Sequence, residues 1–314
     1  MTLRQIGQLV LMSALWGAVF MLIKYALVDF SPVEVAFFQA AIGAVGLLAI
    51  VLSQGGRARA MMTDILRRPL PAIVLGLLAI ATPFILISLG ELSVPSGLAG
   101  VLLSSTPMFV AFFAPRFDRS VEINHVQAIG LIVGLVGVAL VVGLQSVSSL
   151  GQLLGALAIL GAAASGAISS FVVKLQYRDR NVPPTTTTLF SLSVGAVLVA
   201  PFAAITAPGH SPGARSIIAV IVLGLFCTAL TFLLYYQLIA EVGEERAALG
   251  NYLTPIFALF YGVVLLGETL TFVEILGLAL IIVGAEITLR GDSARRAGGV
   301  AKAHDYRPHP PFHT

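Results

Sequence analysis

Residues 249–284, LGNYLTPIFALFYGVVLLGETLTFVEILGLALIIVG, read as two apolar helices joined by a turn. Thr254-Pro255 lies near the start of the stretch, and Gly277 and Gly284 stand seven residues apart near its end. The same design occurs earlier, as VLLSSTPMFVAFFAP over 101–115 and IGLIVGLVG over 129–137. A shift of 148 residues lays Val74-Leu-Gly-Leu77 on Val222-Leu-Gly-Leu225, and Thr106-Pro107-Met-Phe109 on Thr254-Pro255-Ile-Phe257. A shift of 147 pairs Gly130 and Gly137 with Gly277 and Gly284. One structural unit is used twice.

Composition names the solvent. Of 314 residues, 58% are hydrophobic and 11% charged, against about 25% charged in a globular domain. The single cysteine, Cys227, falls inside an apolar run and reads as a small core residue with no disulfide partner in the chain. A net charge of +3 is no nucleic-acid footprint, because the charges sit in short clusters between apolar runs. The first apolar run continues to about Val28, too long for a signal-peptide core, and lacks a small-residue cleavage site.

Ten apolar runs follow one another, near 5–28, 32–53, 69–90, 94–115, 124–143, 151–175, 185–207, 215–240, 246–266 and 271–289. Each can cross a hydrocarbon layer of about 30 Å as a helix. Period-two alternation is absent, which excludes a barrel. Placing the N-terminus in the cytoplasm puts sixteen of the eighteen Lys and Arg residues on that side. They are Arg4, Arg57, Arg59, Arg67, Arg68, Arg116, Arg119, Lys174, Arg178, Arg180, Arg246, Arg290, Arg295, Arg296, Lys302 and Arg307, leaving Lys24 and Arg215 outside. Each repeat holds five helices, an odd number, so the second copy enters the membrane from the opposite face. The expectation is an all-α membrane protein of ten transmembrane helices in two inverted five-helix repeats, 1–144 and 150–290. A polar tail, 291–314, is expected to be disordered and cytoplasmic.

The paired Thr-Pro helices, the Leu266-Gly267-Glu268 turn, the glycine-spaced last helix and the Leu15-Trp16-Gly17-x-x-Phe20 opening resemble the EamA family of the drug/metabolite transporter superfamily. The resemblance covers about Gly7 to Leu289 and implies a ten-helix carrier working by alternating access in a bacterial inner membrane. Within the family the chain looks like the bacterial amino-acid exporters, the aromatic amino-acid branch included. One departure is visible: Ser165-Gly166-Ala167 stands where the family often repeats a tryptophan.

Several motifs have structural readings. Thr271-x-x-Glu274 and Asn124-x-x-Gln127 are capping boxes for the tenth and fifth spans. Glu268 sits in the turn before the first of these and reads as structural. The Gly130, Gly134, Gly137, Gly277 and Gly284 positions let helices approach closely. Lys24 either snorkels to the outer interface or meets a carboxylate. His304, His309 and His313 lack metal-ligand spacing, and no cofactor is implied.

Polar groups at mid-span must supply the functional chemistry. Pro83, Pro107 and Pro255 each follow a threonine and act as hinges that free the carbonyls of Ala79, Leu103 and Asn251. A free carbonyl in hydrocarbon needs a partner, so these kinks either face a wet cavity or serve packing. The candidate substrate-binding residues are Trp16, Phe20, Thr82, Ser104, Ser105, Tyr235, Asn251 and Tyr252. With the family's help, the cavity is expected between the halves, lined by spans one, three, four, six, eight and nine. The substrate would be an amino acid or a similar small amphipathic molecule, and the carrier would function as a monomer in the lipid bilayer. Other metabolites or drugs, such as nucleosides or organic cations, are the alternative cargo. A channel could use the same architecture but would need a charged ring or carbonyl filter, and no nucleophile elbow or metal spacing marks an enzyme. Asp29, Glu34, Glu91, Glu241, Glu268 and Glu274 all lie at span ends. That placement leaves no deep carboxylate to carry a proton and predicts downhill export without ion coupling.

Overall fold

The computed structural model describes residues 1–53, 69–117, 123–146, 149–177, 184–206 and 209–304. Arg57, Arg59, Arg67, Arg68, Arg119, Arg178, Arg180 and Arg307 of the orientation argument lie outside them. Among the described residues the chain is helical throughout, with no strand. We number the helices α1 (Leu3–Ala26), α2 (Pro32–Ser53), α3 (Leu70–Gly90), α4 (Ser96–Phe117), α5 (His125–Ser146), α6 (Leu150–Tyr177), α7 (Pro184–Thr206), α8 (Ala214–Val242), α9 (Gly250–Leu266) and α10 (Phe272–His304), an interrupted helix counting once. Nine are long and apolar enough to cross a membrane, and α9 is a shorter apolar helix. α10 runs on to His304, so the helix continues past Gly291 into the segment expected to be disordered.

Helix pairing follows the repeat. α1 packs on α8 and α9, as α6 packs on α3 and α4; α2 packs on α7 and α8, as α7 packs on α2 and α3. α4 meets α9, and α5 meets α10. Exchanging the first five helices for the last five reproduces these partnerships.

Glycine sets the closest approaches. A Cβ on Gly137 would lie 2.7 Å from the Gly277 carbonyl oxygen, and one on Gly130 2.7 Å from that of Gly284, so α5 and α10 touch along their backbones as the glycine spacing predicts. The shared Val-Leu-Gly-Leu motif has the same explanation. Gly76 lies against Val194 and Gly195 of α7, and Gly224 lies against Ile42 and Gly43 of α2. At both places the helix widens into a π turn, over Gly76–Ala81 in α3 and Leu225–Leu230 in α8. The widening absorbs Pro83. Thr82 N–H already bonds to the Leu77 carbonyl, five residues back, so the acceptor that proline leaves free is Leu78, not Ala79. Ser165 of α6 fills that place, its hydroxyl donating to the Leu78 oxygen at 2.7 Å.

The largest buried cluster joins α1, α3, α4, α6 and α8 around Phe20, Ile23, Leu102, Ile159 and Leu223. Cys227 belongs to it, as its apolar setting predicts. Both expected capping boxes form. Thr271 N–H donates to Glu274 and Glu274 N–H to the Thr271 hydroxyl (2.7 and 3.3 Å), while Asn124 and Gln127 exchange the equivalent pair (3.1 and 2.8 Å). The same spacing also caps α1 through Thr2 and Gln5, and α2 through Ser31 and Glu34.

Candidate functional site

α4 is interrupted at Ser104–Ser105, just before Pro107. Three consecutive hydroxyls close the broken end. Ser104 donates to the Val101 carbonyl at 2.6 Å, Ser105 to Leu102 at 2.6 Å and Thr106 to Leu103 at 2.7 Å. Leu103, the carbonyl that Pro107 was expected to free, is therefore satisfied from within the helix. In α9 the Thr254 hydroxyl bonds to the Gly250 carbonyl at 3.0 Å, which also accepts from Ser13 of α1 at 3.1 Å. Gly17 lets this contact form, because a Cβ there would sit 2.9 Å from the Thr254 oxygen and the Ala258 nitrogen. The Trp16-Gly17 motif thus marks where α1 presses on the Pro255 bend.

Beside the α4 break lies a shallow cleft lined by Ser104 and Pro107 of α4, Asn251 and Tyr252 of α9, Ala248 just before α9, and Ile282, Ala285 and Leu289 of α10. Four residues singled out in the sequence meet here: Ser104, Pro107, Asn251 and Tyr252. The wall from α10 was not expected, since the sequence reading draws spans one, three, six and eight around the site instead. Tyr252 is fixed in place: its hydroxyl donates to Glu286 Oε2 at 2.8 Å, and Arg290 Nε donates to Glu286 Oε1 at 2.7 Å. Glu286 escaped the sequence reading as a site residue, although its four-residue spacing to Arg290 on one helix face was a readable signal. The cleft thus offers an apolar wall, a side-chain amide, and a phenol anchored to a carboxylate–guanidinium pair.

The other candidates fall elsewhere. Trp16 packs edge-on against Phe232 (6.3 Å between centroids) and tilted against Tyr235 (5.4 Å), joining α1 to α8. Neither Trp16 nor Tyr235 lines the cleft. Phe20 is only 2% exposed and packs on Gly100, a core position. Ser105 is buried at the break. Thr82 and the buried Pro83 open the α-helical part of α3 directly after its π turn, and Pro255 is buried in α9.

A second polar cluster occupies the opposite end of α1 from Arg4. α3 ends at Gly90, and Lys24 of α1 donates its ammonium to the Glu91 backbone carbonyl. Lys24 therefore neither snorkels into water nor bonds to a carboxylate; it closes a helix C-terminus, where the helix dipole favours a cation. The Glu268 carboxylate does the converse at the start of α4, accepting from Ser96 N–H at 2.6 Å and Gly97 N–H at 2.9 Å. Gly267, with φ +69°, ends α9 in the left-handed region and turns Glu268 toward α4. The side chain of Glu91 feels the charge of both Lys24 and Glu268. It is 1% exposed, and neither of its oxygens has a hydrogen-bond partner. Burial holds this carboxyl well above the usual carboxylate range; the Lys24 charge opposes that shift and the Glu268 charge reinforces it. Glu91 stands at a span end, as expected, yet it is buried. Position along a span did not decide solvation.

Comparison with known families returns the EamA-like transporter family twice, over residues 4–143 and 153–290. The chain belongs to that family. Its EamA-like relatives include an uncharacterized transporter of Archaeoglobus fulgidus, 27% identical over 88% of this chain and 95% of the relative. The uncharacterized inner membrane transporter YedA of Escherichia coli K12 is 27% identical over 91% of this chain and 90% of its own. A chloroplastic WAT1-related protein of Arabidopsis thaliana is 27% identical over 85% of this chain. A solved crystal structure superposes with a TM-score of 0.63 at 21% identity, over 91% of this chain and 98% of that one, and so shares the fold. The EamA-like chain described here is accordingly a multi-pass membrane transporter, from a family of transporters.

Proposed function

We propose that this EamA-like protein exports amino acids or closely similar zwitterions, the aromatic ones included, by alternating access between two inverted five-helix halves. Two family matches of similar length and the exchange of helix partners between the halves support this reading. The biased placement of Lys and Arg supports cytoplasmic termini. On that orientation the cleft beside Arg290 lies toward the cytoplasm, and the Lys24–Glu268 end faces outward and is closed.

The observation that carries the substrate class is the cleft itself. An apolar wall of Pro107, Ile282, Ala285 and Leu289 suits a hydrocarbon or aromatic side chain. Asn251, Tyr252 and the nearby Glu286–Arg290 pair give a charged head group both donors and acceptors.

Reconstitution of the full chain in liposomes tests it. Saturable counterflow of labelled phenylalanine or tryptophan is expected, with Asn251→Ala raising KM several-fold. Counterflow of nucleosides or organic cations but not amino acids would overturn the substrate class. Unsaturable conductance would overturn the carrier.

A further inference from the structure

We propose that Glu91 is a proton-binding site of the outer end: its carboxyl holds a proton while Glu268 is docked on the start of α4, and releases it to the outside solution when that end opens. The inference rests on the alternating-access reading above and adds the ion that accompanies the change.

The geometry leaves the carboxyl little choice. Glu91 is 1% exposed, and no hydrogen bond reaches either oxygen. Two buried neighbours in the chain, Ser88 one turn earlier and Ser96 at the start of α4, also have unpartnered hydroxyls. An ionised carboxylate without a donor is among the costliest groups to bury. The Lys24 charge offsets part of that cost but supplies no donor to the carboxyl, because its ammonium bonds to the Glu91 backbone carbonyl. The nearest anion, Glu268, is held by the Ser96 and Gly97 N–H groups. The other charges of this end are engaged elsewhere: Arg215 of α8 stacks on the Tyr25 ring of α1, and Asp29, with His210 nearby, accepts from Gly213 N–H and the Ser216 hydroxyl. Glu34 of α2 is engaged with Ser31 at its own helix start. α6 meets the end of α3 with Gly155 and Ile159, and α7 carries no ionisable residue. Two carboxyls from opposite halves thus act on one another through their charge, and the one without donors is neutral.

The direction of the coupling follows. The closed arrangement binds the proton more tightly than the open, hydrated one. Its advantage is full below the ordinary carboxylate range and is lost as external pH rises toward the raised value. Alkaline solution outside therefore favours opening: each opening releases one proton to the outside solution, and each closing takes one up from it again. The sequence expectation of no proton-carrying carboxylate rests on position along the spans, and Glu91 is buried although it stands at a span end.

Ser96→Cys in the full chain, with Cys227→Ala removing the native thiol, reports the opening. Ser96 is fully buried, whereas Leu92 in the same turn is 60% exposed, so Leu92→Cys measures the reagent's own pH dependence. In right-side-out vesicles, the labelling rate by an impermeant maleimide at position 96, divided by that at 92, should rise with external pH. The limit is about tenfold per unit for one linked proton. Glu91→Gln, which imitates the protonated carboxyl, should leave the ratio low and flat. A ratio that is measurable but independent of pH, or a pH dependence that survives Glu91→Gln, overturns the proton site and leaves alternating access standing. No labelling at position 96 under any condition overturns both. Difference infrared spectra of the otherwise unsubstituted chain give an independent reading. A protonated-carboxyl band should be present at neutral pH and absent in Glu91→Gln; absence from the parent chain overturns the proposal.

Discussion

Glu268 accepts from two backbone N–H groups that lie 172 and 171 residues away in the chain. The turn that presents it was legible, because Leu266-Gly267-Glu268 ends one apolar run and a capping box opens the next. Its partner was not legible, since a helix N-terminus leaves no mark that says which carboxylate will reach it. Glu268→Ala strips the first turn of α4 of both acceptors and should lower stability by about 1–2 kcal/mol, the range of a lost cap with its dipole contribution. A thermal melt in detergent would show this as a drop of a few degrees, with Glu268→Gln, which retains one acceptor, falling in between. Tyr252 offers the complementary case. Its mid-span position and polarity flagged it, and the reason it points into the cleft, Glu286 one helix away, came only with the fold. Tyr252→Phe releases Glu286 to Arg290 alone, so it should raise the KM of the transported amino acid while leaving the melting temperature within about a degree.

Helices carry a different kind of information. The sequence showed that a proline must free a carbonyl in α3, but the acceptor moved from Ala79 to Leu78 because the helix takes a π turn there. No residue spells out that widening. The clue is the repeated Val-Leu-Gly-Leu, which marks the duplication in the sequence and stands in the structure where each helix crosses a neighbour and then widens. Ser165 completes α3 from α6, so Ser165→Ala should leave the Leu78 oxygen unsatisfied between the halves and cost about 0.6–2 kcal/mol. Ser170→Ala is the control. Its hydroxyl bonds only within its own helix, to Ala167, and its loss should be nearly silent in the same melt.

At the scale of the molecule the duplication was the most legible feature, because helix pairing in lipid is written in small residues whose spacing survives in the sequence. The grouping of the site was less so. Ser104, Pro107, Asn251 and Tyr252 converge, but Trp16 and Tyr235 belong to a separate aromatic contact, and spacing along single helices cannot say which faces meet. Orientation is the remaining global statement. Fluorescent-protein and alkaline-phosphatase fusions at the C-terminus check it: bright fluorescence with no phosphatase activity is expected, and the reverse would place that terminus outside.

Trp16 is the only tryptophan in 314 residues, and it stands where α1 meets α8, between Phe232 and Tyr235. The unlabelled protein consequently carries its single indole fluorophore on a contact between its two halves. Changes in its emission, and in energy transfer from Tyr235, register sliding of α1 against α8 from one known place, so that rapid-mixing experiments can time the motion without any added dye.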